Sequence, residues 1–327
     1  MPLLKSPAPR YHNASIPPPE DQTRLFPRMH IVPTIPGDSI AKPATLEEWM
    51  SRVIERADRT GLGFDIDDVH DLRVALRRCR TMADVLREVN PHAGWQKLKK
   101  TTSAAFHALG ELRDVQVMST QVKKLARARD PVRRHMLRRI AVQEKHDRQR
   151  AAKALDDFDR RHWKRLARKL GPEARFFPLE SVVFQRIALA RLNQAAECYQ
   201  QARRKRSSAA WHSLRVALKR FRYTVDNFLP REYELWSVDL KRLQTLLGEL
   251  HDLDVLRAAI RRDAAGLDAS AVEAWIKNID VKRKSLLAEI NSRLSGPQSM
   301  WSVWHAGLRR RHTLEAAPLV HGERQSA

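Results

Sequence analysis

Apolar residues recur three and four positions apart along most of the chain, and no stretch alternates apolar with polar at every second position for long. A helix advances roughly 100° per residue, so this spacing collects apolar side chains on one face and predicts an all-α protein without a sheet. Thr45 reads as an N-cap, with Glu47 and Glu48 in the first turn of a helix through Trp49, Val53, Ile54 and Ala57 that stops near Gly61 and Gly63. A second helix follows Asp67 and Asp68, contains His70 and runs to about Val89, ahead of Pro91. A third opens at Trp95 and passes Leu98, Phe106 and Leu109 to Met118. A fourth, long and heavily basic, extends from Pro131 to about Leu170, where Gly171 and Pro172 are expected to end it. The cycle then repeats. One helix starts at Pro178, one carries His212 and ends before Pro230, one runs from about Tyr233 through Leu256, and one spans Ser270 to Leu294. Eight main helices are therefore expected.

Two of these helices share a pattern. HDLRVALRRCR, from His70 to Arg80, is matched by HSLRVALKRFR, from His212 to Arg222. In the first, His70, Arg73, Arg77 and Arg80 fall on one stripe; in the second, His212, Arg215, Lys219 and Arg222 do. The opposite faces are apolar: Leu72, Val74, Ala75, Leu76 and Cys79, then Leu214, Val216, Ala217, Leu218 and Phe221. A solvated face usually mixes acids with bases, and these stripes hold no acid. A second element, LGEL, recurs at Leu109–Leu112 and Leu247–Leu250. His212 follows His70 by 142 residues and Gly248 follows Gly110 by 138, so the two elements repeat in step. This predicts two tandem four-helix units, residues 44–173 and 174–296, related by a pseudo-two-fold axis and packed into one compact helical domain. Gly110 and Gly248 interrupt helical stretches, where glycine costs about 1 kcal/mol relative to alanine. Their expected use is close helix packing or a kink. Residues 1–43 form a proline-bearing lead-in, expected to be extended or disordered, whose LFPRMHIVPTI stretch is a candidate to dock on the body. Residues 297–327 read as a tail that Trp301 and Trp304 can anchor.

Charge narrows the partner. The 327 residues contain 61 Lys and Arg against 38 Asp and Glu, a formal net charge of +23. Such an excess favours a polyanion, and nucleic acid, an anionic membrane surface and inorganic polyphosphate all fit it. No apolar run approaches the roughly 20 residues of a membrane span. The lead-in has no signal-peptide core. The two cysteines, Cys79 and Cys198, lack ligand-like spacing and are expected to be reduced thiols in or near the core, as in a cytoplasmic protein.

The candidate chemistry is anion binding. Arginine offers a rigid fork of donors, lysine a mobile charge, and histidine a donor that gains charge when protonated. Helical spacing sets these groups in a row about 5 Å apart per turn, which suits a linear polyanion or a duplex backbone. The alternative is a solvated face with charge pairs to neighbouring helices. Arg73, Arg77, Arg80, Arg215, Lys219 and Arg222 are the expected centre, with His70 and His212 at one end. Arg78, Lys99, Lys100, Arg113, Arg220, Lys241 and Arg242 are extensions. Glu111 with Asp114, and Glu249 with Asp252, lie three residues apart and are expected to hold basic side chains such as Arg73 or Arg215 in place. Asp226, four residues after Arg222, is expected to orient that arginine. Metal binding has little support, since there is no H-E-x-x-H and no cysteine cluster. Nor is there a G-x-S-x-G elbow, a P-loop or a dinucleotide fingerprint. Zinc-finger spacing and RNA-binding strand signatures are absent too, which weakens the nucleic-acid reading without removing it.

The paired motifs resemble the CHAD family, the conserved histidine α-helical domain. The resemblance rests on His70, Arg73, Arg77, Arg78 and Arg80 with Arg113 and Asp114, and on His212, Arg215, Lys219, Arg220, Arg222 and Tyr223 with Leu247 to Asp252. It covers about residues 44 to 296. It implies an all-helical, pseudo-two-fold body with a basic central surface, and binding of inorganic polyphosphate with association to polyphosphate granules in bacteria. No cofactor is implied. Some relatives carry a triphosphate tunnel domain that hydrolyses its substrate. None is legible here, so the resemblance implies a non-enzymatic binder, with a phosphoanhydride-processing enzyme or a nucleic-acid-binding protein as alternatives. Two departures stand out. Asp226 takes a place where the family often has glutamate, and His251 stands where the first repeat has Arg113. The second implies that the first repeat binds anions more strongly at neutral pH.

Overall fold

The computed structural model describes the backbone of residues 43–315 and side chains to Arg309. The lead-in with its LFPRMHIVPTI stretch, the end of the tail from 316 and the side chains of Arg310 and Arg311 lie outside the described residues. The described chain is all-α, with no strand among the described residues.

Among the described residues there are eleven helices where eight were expected, because two predicted helices are broken and the tail forms another. The first half contains α1 (Leu46–Gly63), α2 (Ile66–Val89), α3 (Ala93–Thr101), α4 (Ser103–Leu125), α5 (Pro131–Asp156) and α6 (Arg160–Arg175). The second contains α7 (Val182–Lys205), α8 (Ser208–Phe228), α9 (Pro230–Arg262), α10 (Ala269–Leu294) and α11 (Met300–Glu315). Thr45 caps α1 in a full capping box with Glu48. The predicted helix from Trp95 to Met118 breaks at Thr102, whose hydroxyl turns back onto the Leu98 carbonyl at 3.1 Å. The predicted helix from Pro131 to Leu170 breaks at Asp157–Asp159, where the Asp159 carboxylate caps a new helix by accepting from the His162 amide at 2.8 Å. Pro172 does not end α6; the helix continues to Arg175.

The same order of packing appears in each half. α1 packs on α2 and α6, α2 on α3 and α4, and α4 on α5; α7 packs on α8 and α11, α8 on α9, and α9 on α10. The halves meet where α2 touches α8 and α4 touches α9. One large apolar cluster runs through both, including Leu72, Leu76, Cys79, Leu86, Leu214, Leu218 and Phe221. These are the apolar faces of the two motif helices, so burying them turns the cationic faces away from the core. A smaller cluster joins Val122, Val132, Met136 and Ile140 to Leu256, Ile260, Trp275 and Ile279 at the far ends of α4, α5, α9 and α10. Trp301 and Trp304 of α11 are buried in the large cluster, against Tyr199 and Phe221 respectively. Cys79 and Cys198 are free thiols. No helix among the described residues is long and apolar enough to cross a membrane.

Candidate functional site

The cationic faces of α2 and α8 open onto a single cavity of about 1070 Å³. Arg73, Arg77 and Arg80 line it from α2; Arg215, Lys219 and Arg220 line it from α8; Lys99 reaches it from α3. Residues 142 positions apart in sequence thus share one space. Among the described residues, no carboxylate lies within ion-pairing distance of Arg73, Arg77, Arg80, Arg215, Lys219 or Arg220, whereas many other basic side chains are paired.

Three of these groups are held by uncharged partners. Arg73 donates to the Phe106 carbonyl at 3.0 Å and lies over the Phe106 ring. Arg80 lies over the same ring and donates to the Lys99 carbonyl at 2.6 Å and the Thr102 hydroxyl at 3.1 Å. The last turn of α3 supplies the first of those acceptors and the break after it the second. Arg77 donates to the Tyr223 hydroxyl at 3.2 Å, across the α2–α8 contact. Neutral acceptors fix the guanidinium positions, and the acids that also line the cavity, Asp84, Glu88 and Glu197, make no ion pair with these three among the described residues; Asp84 pairs with Lys99 at 2.5 Å and Glu88 with Arg191.

Crowding of like charge marks the cavity. Burial, then Arg215, Arg77 and Arg73, push the Lys219 ammonium down to about 7. Burial and Arg77 bring Arg73 down to about 10. Desolvation raises the Asp114 and Asp252 carboxyls, against the pull of Arg73 and Arg215 on the first and Arg215 on the second. These two acids therefore sit near the cations they were expected to hold, without an ion pair to them within 4 Å among the described residues. Glu111 turns away and pairs with Arg150 at 2.6 Å.

None of the described histidines lines the cavity, and two of them meet each other. His212 and His251 bring their Nδ1 atoms to 3.3 Å, so one donates and the other accepts while both are neutral. Burial, then Arg215, push His251 down to about 4. His212 is lowered by burial and by Arg215 and Lys219; His70 is lowered by burial and by Arg113. Arg113 donates to the Ile66 carbonyl at 3.2 Å.

Other predicted residues lie elsewhere. Arg78 points between the halves, pairs with Asp226 at 2.5 Å and donates to Asn227 at 2.8 Å. Asp226 was expected to orient Arg222; it holds Arg78 instead, while Arg222 donates to Gln244. Lys241 lies near the Tyr233 ring, and Arg242 pairs with Glu289 of α10 at 2.7 Å. Lys100, exposed on α3, is not among the residues lining the cavity. Arg191 of α7 escaped the sequence reading. It lines the cavity, donating to Thr224 and to Glu88, each at 2.6 Å. It belongs to no repeated motif, and its only signal is an arginine on an otherwise apolar helix face.

A family model described as CHAD domain matches residues 44–261. Two solved structures share the fold. One is the CHAD domain from the plant Ricinus communis, 24% identical with a TM-score of 0.52, covering 82% of this chain and 90% of that one. The other is PptA from Streptomyces chartreusis, 13% identical with a TM-score of 0.52, covering 81% of this chain and 96% of that one. No curated protein matches.

Proposed function

The chain belongs to the CHAD domain family, whose members are non-enzymatic regulatory modules, and from that premise we propose that its central cavity binds inorganic polyphosphate. The observation that carries this reading is the convergence of Arg73, Arg77, Arg80, Arg215, Lys219 and Arg220, from two helices in different halves, on one cavity, without an ion pair to any of them among the described residues. A ligand that satisfies six cations at once needs closely spaced negative charge along its length, which a chain of phosphates provides. The central residues of this reading are Arg73, Arg77, Arg80, Arg215 and Lys219, with Lys99, Arg191 and Arg220 around them. His70, Arg113, His212 and His251 do not line the cavity and are the outlying residues of this reading. The reading includes a pseudo-two-fold relation between the helices of residues 44–173 and those that follow, and an association with polyphosphate granules. The matched packing order of the two halves supports the first; the second follows from the ligand.

The test substitutes Arg77→Gln, Arg215→Gln and Lys219→Gln together. Arg73 and Arg80 are left in place because backbone carbonyls depend on them. The control substitutes Arg203, Arg204 and Lys205, an equal change of charge at the end of α7. The cavity variant is expected to lose at least about tenfold in affinity for long-chain polyphosphate, and the control about threefold or less, with both helical by circular dichroism. Equal losses would mean that diffuse charge binds the ligand. Competition with duplex DNA at fixed salt separates the partners: DNA that displaces polyphosphate at equal phosphate concentration would overturn the assignment.

A further inference from the structure

Helix α6 carries a second cationic face that the cavity does not use. Arg161, Lys164, Arg165, Arg168 and Lys169 are all exposed. They occupy positions i, i+3, i+4, i+7 and i+8, the spacing that places five side chains on one helical stripe. The opposite stripe, Trp163, Leu166 and Leu170, is buried in the main core. The helix is therefore fixed with its cations outward. None of the five has a carboxylate within ion-pairing distance among the described residues, although the neighbouring Arg160 and Arg175 pair with Asp58 and Glu47 of α1. Of the acids near in sequence, Asp156, Asp157 and Asp159 stand before the helix starts, with the Asp159 carboxylate engaged in capping it, and Glu173, in the last turn, lies 3.4 Å from His92. Five cations crowded within about 12 Å of helix repel one another, and nothing in the fold requires that arrangement.

Resting on the polyphosphate reading of the cavity, we infer that the outward face of α6 is a second, separate binding surface for the same kind of chain. Three observations select the ligand class. Between Arg161 and Lys169 the outward stripe carries no apolar or aromatic side chain, Trp163, Leu166 and Leu170 being committed to the core, and the exposed ring of Phe176 stands beyond it at the C-cap; one ring at the end is no row of apolar groups to insert into a lipid surface or of rings to stack on bases. It is convex and open, so it offers charge without shape, which suits a flexible polyanion better than a compact ligand. And α6 packs on α3, the helix that lends Lys99 to the cavity, so both surfaces flank one short element. A long chain leaving the cavity meets further cations rather than neutral surface, and a second chain can bind where the first does not reach. The protein then holds a polyanion at two places, with the avidity that follows, and can link separate chains.

The test compares two ligands, tripolyphosphate and long-chain polyphosphate. The variant is Arg161→Gln, Lys164→Gln, Arg165→Gln and Arg168→Gln together. The control is Lys145→Gln, Lys277→Gln, Lys282→Gln and Lys284→Gln, four exposed lysines of α5 and α10 with the same change of charge. Helicity and melting temperature check that both fold, and a version of α6 carrying lysine at 161, 165 and 168 keeps the charge as a rescue. The α6 variant is expected to bind tripolyphosphate within about twofold of the parent. It is expected to lose about tenfold for the long chain and to lose light scattering from cross-linked chains; the control and the lysine version retain both. Equal long-chain losses in the α6 variant and the control would overturn the inference, as would a loss of duplex DNA binding alone. If the parent binds neither phosphate ligand, the cavity reading itself has failed; if the parent binds both and the α6 variant matches the control, only the second surface has.

Discussion

Lys219 makes no ion pair among the described residues, and burial together with Arg215, Arg77 and Arg73 outweighs the pull of Asp252 and holds its ammonium at about 7, far below the usual lysine range. Part of the population is therefore neutral in the empty protein at physiological pH. A bound phosphate chain restores the charge by supplying the missing anion, so binding and protonation are linked. The sign follows directly. Ligand raises the pKa, so protons are taken up on binding between about 7 and the higher value reached in the complex, and affinity rises as pH falls through that window. Calorimetry at pH 8 in two buffers of different ionisation enthalpy is expected to show net proton uptake that Lys219→Met reduces. The same substitution is expected to raise the melting temperature of the empty protein, because the folded state lowers this pKa and so disfavours the charged form. Unchanged proton uptake in the variant would place the titrating group elsewhere, with His212 and His251 next in line.

At the scale of elements, α4 and α9 carry the same LGEL segment for different reasons. A methyl group on Gly110 would come within 2.5 Å of Arg73 Nη1, whereas one on Gly248 would meet nothing within 4 Å. Gly110 is where the Arg73 guanidinium lies against α4; Gly248 leaves helix propensity unused. Gly248→Ala is expected to stabilise the protein by about 0.5–1 kcal/mol in urea denaturation. Gly110→Ala is expected to give no such gain and to weaken polyphosphate binding several-fold, because Arg73 must leave the Phe106 carbonyl. The helices, their amphipathic faces and the pairing of two motif helices were legible in the sequence because periodicity records them. The break at Thr102 was not, since a threonine hydroxyl bonding back to its own helix resembles any helical threonine. The same holds at Asp157–Asp159, where capping acids sit inside an uninterrupted basic pattern. Asp226 illustrates the limit for side chains: four-residue spacing suggested Arg222 on its own helix, but a half-buried arginine from α2, Arg78, claimed it. Arg191 was invisible because its partners, Glu88 and Thr224, come from two other helices.

The whole molecule is tied together by the last helix of the described residues. α11, read from sequence as a tail, sends Trp304 into the core against Phe221, itself on the buried face of the second motif helix. Trp304→Ala is expected to cost about 3–5 kcal/mol, measured by chemical denaturation, and to leave the cavity side chains untouched. A cost under about 1 kcal/mol would mean that α11 is an appendage. The cavity has a consequence of its own. Six cations that make no ion pair among the described residues do not stand bare in salt solution; small anions gather around them until the local charge is balanced. The empty protein behaves as an anion exchanger, already loaded with whatever the medium supplies, and a phosphate chain arrives by displacing that load. At one fixed ionic strength, chloride and sulfate solutions therefore present the chain with different competitors and give different apparent affinities.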